Sequence, residues 1–453
     1  MVAPHPNLQR KFINTNSIVD TNKSESIHNL HSKYPGDYIN ITTHKVMDRL
    51  RPWAEMPSPI LKQTQRFQFN SQSLQYLQPI VIDKILVLCI DFPDKHAQLP
   101  ISTIYNRFFG DNVNSLKEYY REVSYERYIP QGEIYGWYRA PNPSAYYADK
   151  QNGFGTYPKS TEKLVEDVLD AAFKDQSIIW DIFDTNNNGY IDNLIVVHAG
   201  AEAAYTGNID DLWANVYAIP TKKIIQGKIA WVYALTSEYV NKPTDQQAIG
   251  GDAHEHGHQL GLPDLYDTTY KSSGVGSYSL MGAGSWGNDG LTPVHLDAWS
   301  KYVLGFADTI ENPVGSVYLE SVETNPNSLK YTTSDTKEYY LVESREKILY
   351  DKYLPSQGLF VWHINEHQID NLIYNDDKSC YLVGLEQADG LKDLENNANN
   401  GDLGDPFPGI SNNRSFGENT KPHSVLCNGK IHNVLIDNIS DLAKIMTFDS
   451  FNT

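Results

Sequence analysis

The sequence predicts a mixed α+β domain followed by a β-rich, sandwich-like C-terminal module, and three observations carry that prediction. An apolar, β-branched run at Ile80–Phe92 reads as a buried strand. Helical periodicity follows in Thr161–Lys174, and a histidine-rich helix is expected around Gly250–Leu260. After Ala307 the texture changes to short alternating runs between Asn-, Asp- and Gly-rich turns. A chain of 453 residues is long enough for more than one core. The expected divisions are residues 1–78, 79–310 and 311–453.

Residues 1–78 are polar and aperiodic, an N-terminal extension or a prosegment, with His44–Arg51 as a short helix stopped by Pro52. Pro93-Asp94 closes the first strand. Ser115–Ser124 is helix-like and opens on a serine cap, and Gly132–Tyr138 alternates as a strand. In Thr161–Lys174, the residues Leu164, Val165, Val168, Leu169, Ala172 and Phe173 make one apolar face suited to core packing. A strand at Leu194–Val197 runs into a loop at His198, which is read as structural. Ile229–Leu235 is the last strand before the histidine-rich helix, and Thr292–Phe306 reads as a closing helix. Beyond it, Val317–Glu320, Glu338–Glu343, Gly358–Ile364, Ser379–Glu386 and Lys444–Phe448 are the expected strands of the C-terminal module.

The chemistry concentrates in Gly250–Asp267, which contains His254-Glu255-x-x-His258. On a helix, residues four apart are separated by about 40° around the axis, so both imidazoles can face one metal ion. Glu255 lies beside them, placed to take a proton from water at that ion. His256 points about 200° away from His254 and belongs to another face. Gly261 and Pro263 end the helix and turn the chain back, which brings Asp264 forward as the third ligand, with Asp267 as the weaker alternative. Two imidazoles and one carboxylate suit a catalytic zinc ion.

This stretch, His-Glu-x-x-His-x-x-Gly-x-x-Asp continued by Leu-Tyr-Asp, resembles the immune inhibitor A family of bacterial secreted metallopeptidases. Phe-Pro-Asp at 92–94, Tyr-Tyr-Arg-Glu-Val-Ser-Tyr at 119–125 and Gly-Trp-Tyr at 136–138 add to the resemblance. So do Gly276–Trp286, Thr292–Phe306, Gly358–Ile364 and Leu385–Gly390. The resemblance implies a metzincin-like catalytic domain, a metalloendopeptidase acting on proteins or peptides, and an extracellular location. Met281, among small residues, matches the methionine turn beneath the metal, a supporting rather than a ligating role. Ala283 stands where typical metzincins carry a tyrosine, which leaves the oxyanion helper open between Tyr278 and His295.

Two further stretches offer oxygen ligands. Asp184–Asp192 follows a calcium-loop spacing, with side chains from Asp184, Asn186, Asn188 and Asp192 and the carbonyl of Tyr190. Ile195 stands where such a loop has its closing glutamate, so the site needs a remote carboxylate or binds weakly. An Asx-rich turn explains the same residues without a cation. Asp402 and Asp405, in a glycine-rich loop, are candidates for a second cation on equal terms with an ordinary turn.

A formal net charge of −19 with no basic stripe excludes a nucleic-acid partner. No stretch reaches the roughly eighteen apolar residues of a membrane span, and Met1–Pro6 lacks the apolar core of a secretory signal. Of the cysteines, Cys89 sits in the apolar run as a buried thiol, while Cys380 and Cys427 are candidates for one bridge. A monomer is expected. The competing reading is an inactive relative that serves as a calcium-stabilised surface-binding module. Glu255 stands against it, since binding alone needs no base.

Overall fold

A computed structural model describes residues 1–6, 81–111 and 114–452. The His44–Arg51 helix, and the 1–78 segment beyond its first six residues, lie outside that range. The chain forms two compact units, Met1–Arg121 with Tyr128–Gly261 and Asp289–Leu291, and Glu122–Arg127 with Leu262–Asn288 and Thr292–Thr453.

The first unit alternates strands and helices. In order they are β1 (Val81–Asp91), α1 (Ile101–Phe109), α2 (Leu116–Val123, its last residues in the second unit), β2 (Tyr128–Arg139), α3 (Ser144–Ala148), α4 (Thr161–Ala172), β3 (Asn193–Ala201), α5 (Ala203–Thr206), β4 (Asn215–Ile225), β5 (Lys228–Tyr239) and α6 (Gly250–Gln259). The five strands make one sheet in the order β2-β1-β3-β5-β4. β1 lies between two parallel neighbours, β2 and β3, and Ile85–Asp91 are all buried. Parallel strands covered on both faces read as continuous apolar runs, which is why β1 was legible. β4 is antiparallel to β5 at the sheet edge, and its pairing shifts register between Ala218 and Lys223. That irregularity, with Pro220, Lys222 and Lys223 inside the strand, removes the alternation by which a strand is recognised.

Ser115 caps α2, its hydroxyl accepting from the amide of Glu118 at 3.1 Å. Leu164, Val165, Val168, Leu169 and Ala172 of α4 share a core with Leu86, Leu88 and Ile90 of β1 and Val196 of β3. Each such aliphatic side chain contributes about 2 kcal/mol by leaving water. Phe173, counted on that face from sequence, is instead half exposed at the C-cap of the helix.

The second unit contains α7 (Ala298–Val303), β6 (Asp308–Glu311), β7 (Gly315–Glu320), β8 (Asn327–Thr332), β9 (Glu338–Arg345), β10 (Gly358–Asn365), α8 (His367–Asn371), β11 (Val383–Leu385), β12 (Val434–Asp437) and β13 (Ile445–Asn452). One sheet runs β11-β10-β9-β8-β6 and another β12-β13-β7. Leu319, Val434, Ile436, Met446 and Phe448 from the smaller sheet share one core with Leu329, Tyr331, Tyr340, Val342, Leu359 and Val361 from the larger. Two faces packed on one core give this unit its sandwich character. The helix expected over Thr292–Phe306 starts late, at Ala298. Asp297 caps it by accepting from the amide of Ser300, and Pro293 lies in the irregular segment before it. Cys380 and Cys427 form a disulfide with 5.7 Å between their Cα atoms, and Cys89 is a buried free thiol.

His363 of β10 makes ion pairs with Glu338 at 2.9 Å and Glu386 at 3.4 Å. Burial opposes its charge, but the two carboxylates prevail and raise its pKa from 6.5 to about 9. A folded value above the ordinary one gives stability that is complete below about 6.5 and is lost as pH rises through about 9. We expect His363→Phe to remove this contribution, about 2 kcal/mol. Thermal unfolding checks it: the fall in midpoint between pH 7 and 10 should be smaller in the variant than in the native chain.

Candidate metal centre

Helix α6 forms from a sequence with little helix preference, so its packing holds it. Residues 252–258 are all buried. The amides of Ile249 and Gly250, which have no partners inside the helix, both donate to the carbonyl of Gly290, at 3.0 and 2.9 Å. Asp252 in the first turn lies 3.0 Å from the Arg107 guanidinium, both buried, and Arg107 also donates to the carbonyl of Glu238 in β5. The Tyr120 hydroxyl donates to the carbonyl of Ala253 at 2.7 Å. At the far end Gly261 takes φ +106°, a conformation that L side chains rarely adopt, and its amide donates to the carbonyl of His258.

His254 and His258 lie on one face with ring centroids 4.7 Å apart and planes at 86°. Ligand atoms of His254, Glu255 and His258 fall within 4.8 Å of one another, and all three residues are buried. The Nε2 atoms of both rings converge on one small volume, where backbone atoms of Met1 lie. The Met1 carbonyl is 2.8 Å from His254 Nε2, and its amine is 3.1 Å from His258 Nε2 and 3.9 Å from a Glu255 oxygen. Both carboxylate oxygens of Glu255 are buried without a hydrogen-bond partner. Leaving a buried carboxylate without hydrogen bonds is costly, and a cation with its water removes that cost. The donor set therefore fits a zinc ion: imidazole nitrogens converging on one point, with a carboxylate at the same point.

His256 lies on another face. Its Nε2 is 2.7 Å from the Tyr128 hydroxyl and its Nδ1 is 3.1 Å from Gln259, with the ring stacked on Tyr128. Burial lowers its pKa to about 4, so it packs as a neutral ring. His198 is likewise buried, and burial lowers its pKa to about 4.

Asp264, Asp267, Tyr278, Met281, His295, Asp402 and Asp405 fall in the second unit. Asp264 is buried close to Asp267 and Asp376. Burial, reinforced by the charges of Asp267 and Asp264, raises the pKa of Asp376 to about 6. Asp267 spends its oxygens locally, accepting from the amide and hydroxyl of Thr269 at 2.7 and 2.6 Å and from Ser272 at 2.7 Å. Met281 is buried and its carbonyl accepts from the amide of Leu265, tying its turn to the segment that carries Asp264. That turn is tight: a Cβ on Gly284 would meet Val294 Cγ2 at 2.3 Å and the Ser279 carbonyl at 2.5 Å. The Tyr278 hydroxyl donates to Asp405 at 2.9 Å, and His295 lies between Glu122 and Lys301, 2.9 Å from each.

In the 184–192 loop, Asp184 accepts from the amides of Asn188 and Gly189 and from Lys228, at 2.8 Å for the ammonium. Asn186 donates to Asp192 at 2.6 Å, and Asn188 accepts from the amide of Tyr190 at 2.9 Å. Asp83 of β1 lies nearby. Burial and then the charge of Asp192 raise its pKa to about 6. Sequence reading missed Asp83, although an acid inside an apolar run was the available signal. Asp402 accepts from the amide of Gly404 at 2.7 Å and from Asn399 at 2.6 Å, while Asp405 accepts from the amide of Asp402 and from Tyr278.

A helical pair of converging imidazoles with a buried carboxylate at the same point is the arrangement that defines the class of metallopeptidases. Residues 98–304 match the model of the immune inhibitor A peptidase M6 catalytic domain. The chain is similar to the pre-pro-metalloprotease PrtV of Vibrio cholerae, with 29% identity over 303 residues, covering 55% of this chain and 32% of the relative. It is also similar to Immune inhibitor A of Bacillus thuringiensis subsp. alesti, with 31% identity over 268 residues, covering 48% of this chain and 39% of the relative. The matches thus span well under half the length of these relatives. A solved structure, wild-type OgpA from Akkermansia muciniphila, matches with 14% identity and a TM-score of 0.26 over 60% of this chain and 73% of that one.

Proposed function

We propose that the chain is a zinc-dependent endopeptidase that hydrolyses peptide bonds in proteins. The convergence of His254 and His258 Nε2 on a point shared with the buried Glu255 carboxylate, whose oxygens accept no hydrogen bond, carries this reading. Zinc held there by His254, His258 and Asp264 would supply Lewis acidity to the attacking water and to the scissile carbonyl. Glu255 takes the proton from that water as it attacks, then delivers it to the departing nitrogen. Asp264 is preferred to Asp267 as third ligand because Asp267 is already saturated by Thr269 and Ser272. The Met281 turn underpins the segment carrying Asp264, which favours a metzincin-like catalytic domain over residues 79–310, with a β-rich module over 311–453. Tyr278 and His295 are committed to Asp405 and to Glu122 and Lys301, so neither is proposed as the oxyanion helper.

Calcium is proposed for the 184–192 loop, with Asp83 and Asp192 as the closely placed acids whose mutual repulsion a cation would relieve. In the 402–405 loop Asp402 is satisfied by the Gly404 amide and Asn399, while Asp405 keeps one buried oxygen without a hydrogen-bond partner, and a second cation is proposed there on that oxygen. An extracellular location is proposed from the family and from the Cys380–Cys427 disulfide, a bond that persists in oxidising compartments. Among the described residues no helix is long and apolar enough to cross a membrane. Catalysis is proposed to need a single chain, since every group in the scheme comes from one copy. Residues 1–78 are proposed as a prosegment, because Met1 lies on the metal-facing nitrogens where a substrate must come.

Metal analysis with a peptide-library digest tests this function. About one zinc per chain is expected, with internal peptide bonds cut faster once residues 1–78 are removed. Zinc without hydrolysis, before and after that removal, would overturn the reading.

A further inference from the structure

Besides the metal-facing atoms, the first unit carries a wall that Val2 and His5 contact. The Trp213 indole donates to the carbonyl of Val2 at 2.9 Å, and the amide of His5 donates to the carbonyl of Ala204 at 2.8 Å. Val2 and Ala3 are buried to within 1% of complete. His5 meets the wall through its side chain: its ring centroid is 4.7 Å from that of Tyr205, and its Nε2 is 3.1 Å from an Asp289 oxygen.

Local bonds fix the wall. The Glu202 carboxylate accepts from the amides of Ala204 at 3.1 Å and Ala214 at 3.0 Å, clamping both ends of the 203–213 stretch. The Asn152 side chain donates to the carbonyls of Asn208 and Asp211, at 2.7 and 2.9 Å. Asp289 precedes Gly290, whose carbonyl holds the first amides of α6, so its backbone is placed relative to the histidine pair.

The contacts at Val2 and Ala204 use peptide main-chain atoms and accept any extended sequence, as strand-like peptide recognition does. Selection by charge falls on the His5 position, four residues along from the residue that faces His254 and His258. We propose that Tyr205 and Asp289 form a substrate subsite there for an imidazole or cationic side chain, so that substrates with His, Arg or Lys at that position are preferred. This rests on the peptidase reading and names part of its substrate class. Asp289 is 71% exposed, so its ion pair is screened and modest, and the aromatic face adds a comparable amount. Together they should favour a cationic over an anionic residue by about tenfold in affinity.

Binding and cleavage test the subsite separately. The probes are fluorescent Met-Val-Ala-Pro-X amides with X as His, Arg, Ala or Glu, added to the zinc-loaded full chain carrying His5→Ala, which weakens the chain's own segment equally against every probe. Anisotropy should show His and Arg probes binding about tenfold tighter than Glu. Adding Asp289→Asn should reduce that ratio to about threefold. Equal affinities, a preference unchanged by Asp289→Asn, or no binding would overturn the subsite. Peptides carrying the same residues across a scissile bond then separate the two claims. A retained binding preference with no cleavage of any peptide supports the subsite and refutes the peptidase, whereas cleavage indifferent to X refutes the subsite alone.

Discussion

Replacing Glu255 with glutamine lowers peptide hydrolysis by about a thousandfold or more and leaves zinc content unchanged. The carboxamide keeps the shape of the side chain but cannot take the proton of the attacking water. The imidazoles of His254 and His258 are untouched, so metal binding survives. The buried setting adds a second signature. Both Glu255 oxygens are buried without hydrogen-bond partners, with the Met1 amine 3.9 Å away, and a buried polar group without hydrogen bonds costs the fold stability. Removing the charge should leave the thermal midpoint of metal-free protein equal to or above the native value. Retained proteolysis in this variant would take Glu255 out of the base role. A collapse in stability would show that the contact with the Met1 amine outweighs the cost of burial.

The second large effect is expected at Asp264. Removing a group that only supports a ligand already costs about 10–100-fold in metal affinity, so removing the ligand itself should cost more than a hundredfold. Asp264→Ala therefore loses zinc on dialysis and loses activity with it. Asp267→Ala is the matched control. It gives up hydrogen bonds to Thr269 and Ser272, so it should lose stability and keep its zinc. Zinc retained by Asp264→Ala and lost by Asp267→Ala would reverse the assignment.

Legibility in the sequence followed the range of the interactions. The buried strand β1, the apolar face of α4 and the pairing of His254 with His258 depend on periodicity within a few residues, and each could be read directly. β4 could not, because a register shift and the lysines of an edge strand hide its alternation. The helix expected from Thr292 was read too long, since Asp297 caps it and its N-terminal neighbours are irregular. Around the centre, the spacing gave His254, Glu255 and His258, whose ligand atoms come together. It gave no sign of Arg107 beneath Asp252, of Gly290 holding the start of α6, or of Glu202 clamping the 203–213 wall. Those partners are far apart in the chain, and an isolated arginine, glycine or glutamate carries no local pattern.

The central claim is that a zinc ion at the His254–His258 pair drives proteolysis, and reversible metal removal tests it most directly. The measurement is the casein-hydrolysis rate of the full chain, freed of residues 1–78, before chelation, after chelation and dialysis, and after zinc is restored. Loss of hydrolysis on chelation, with recovery as about one zinc per chain is taken up, is the result predicted. Hydrolysis that persists in protein shown to be free of metal would contradict the account.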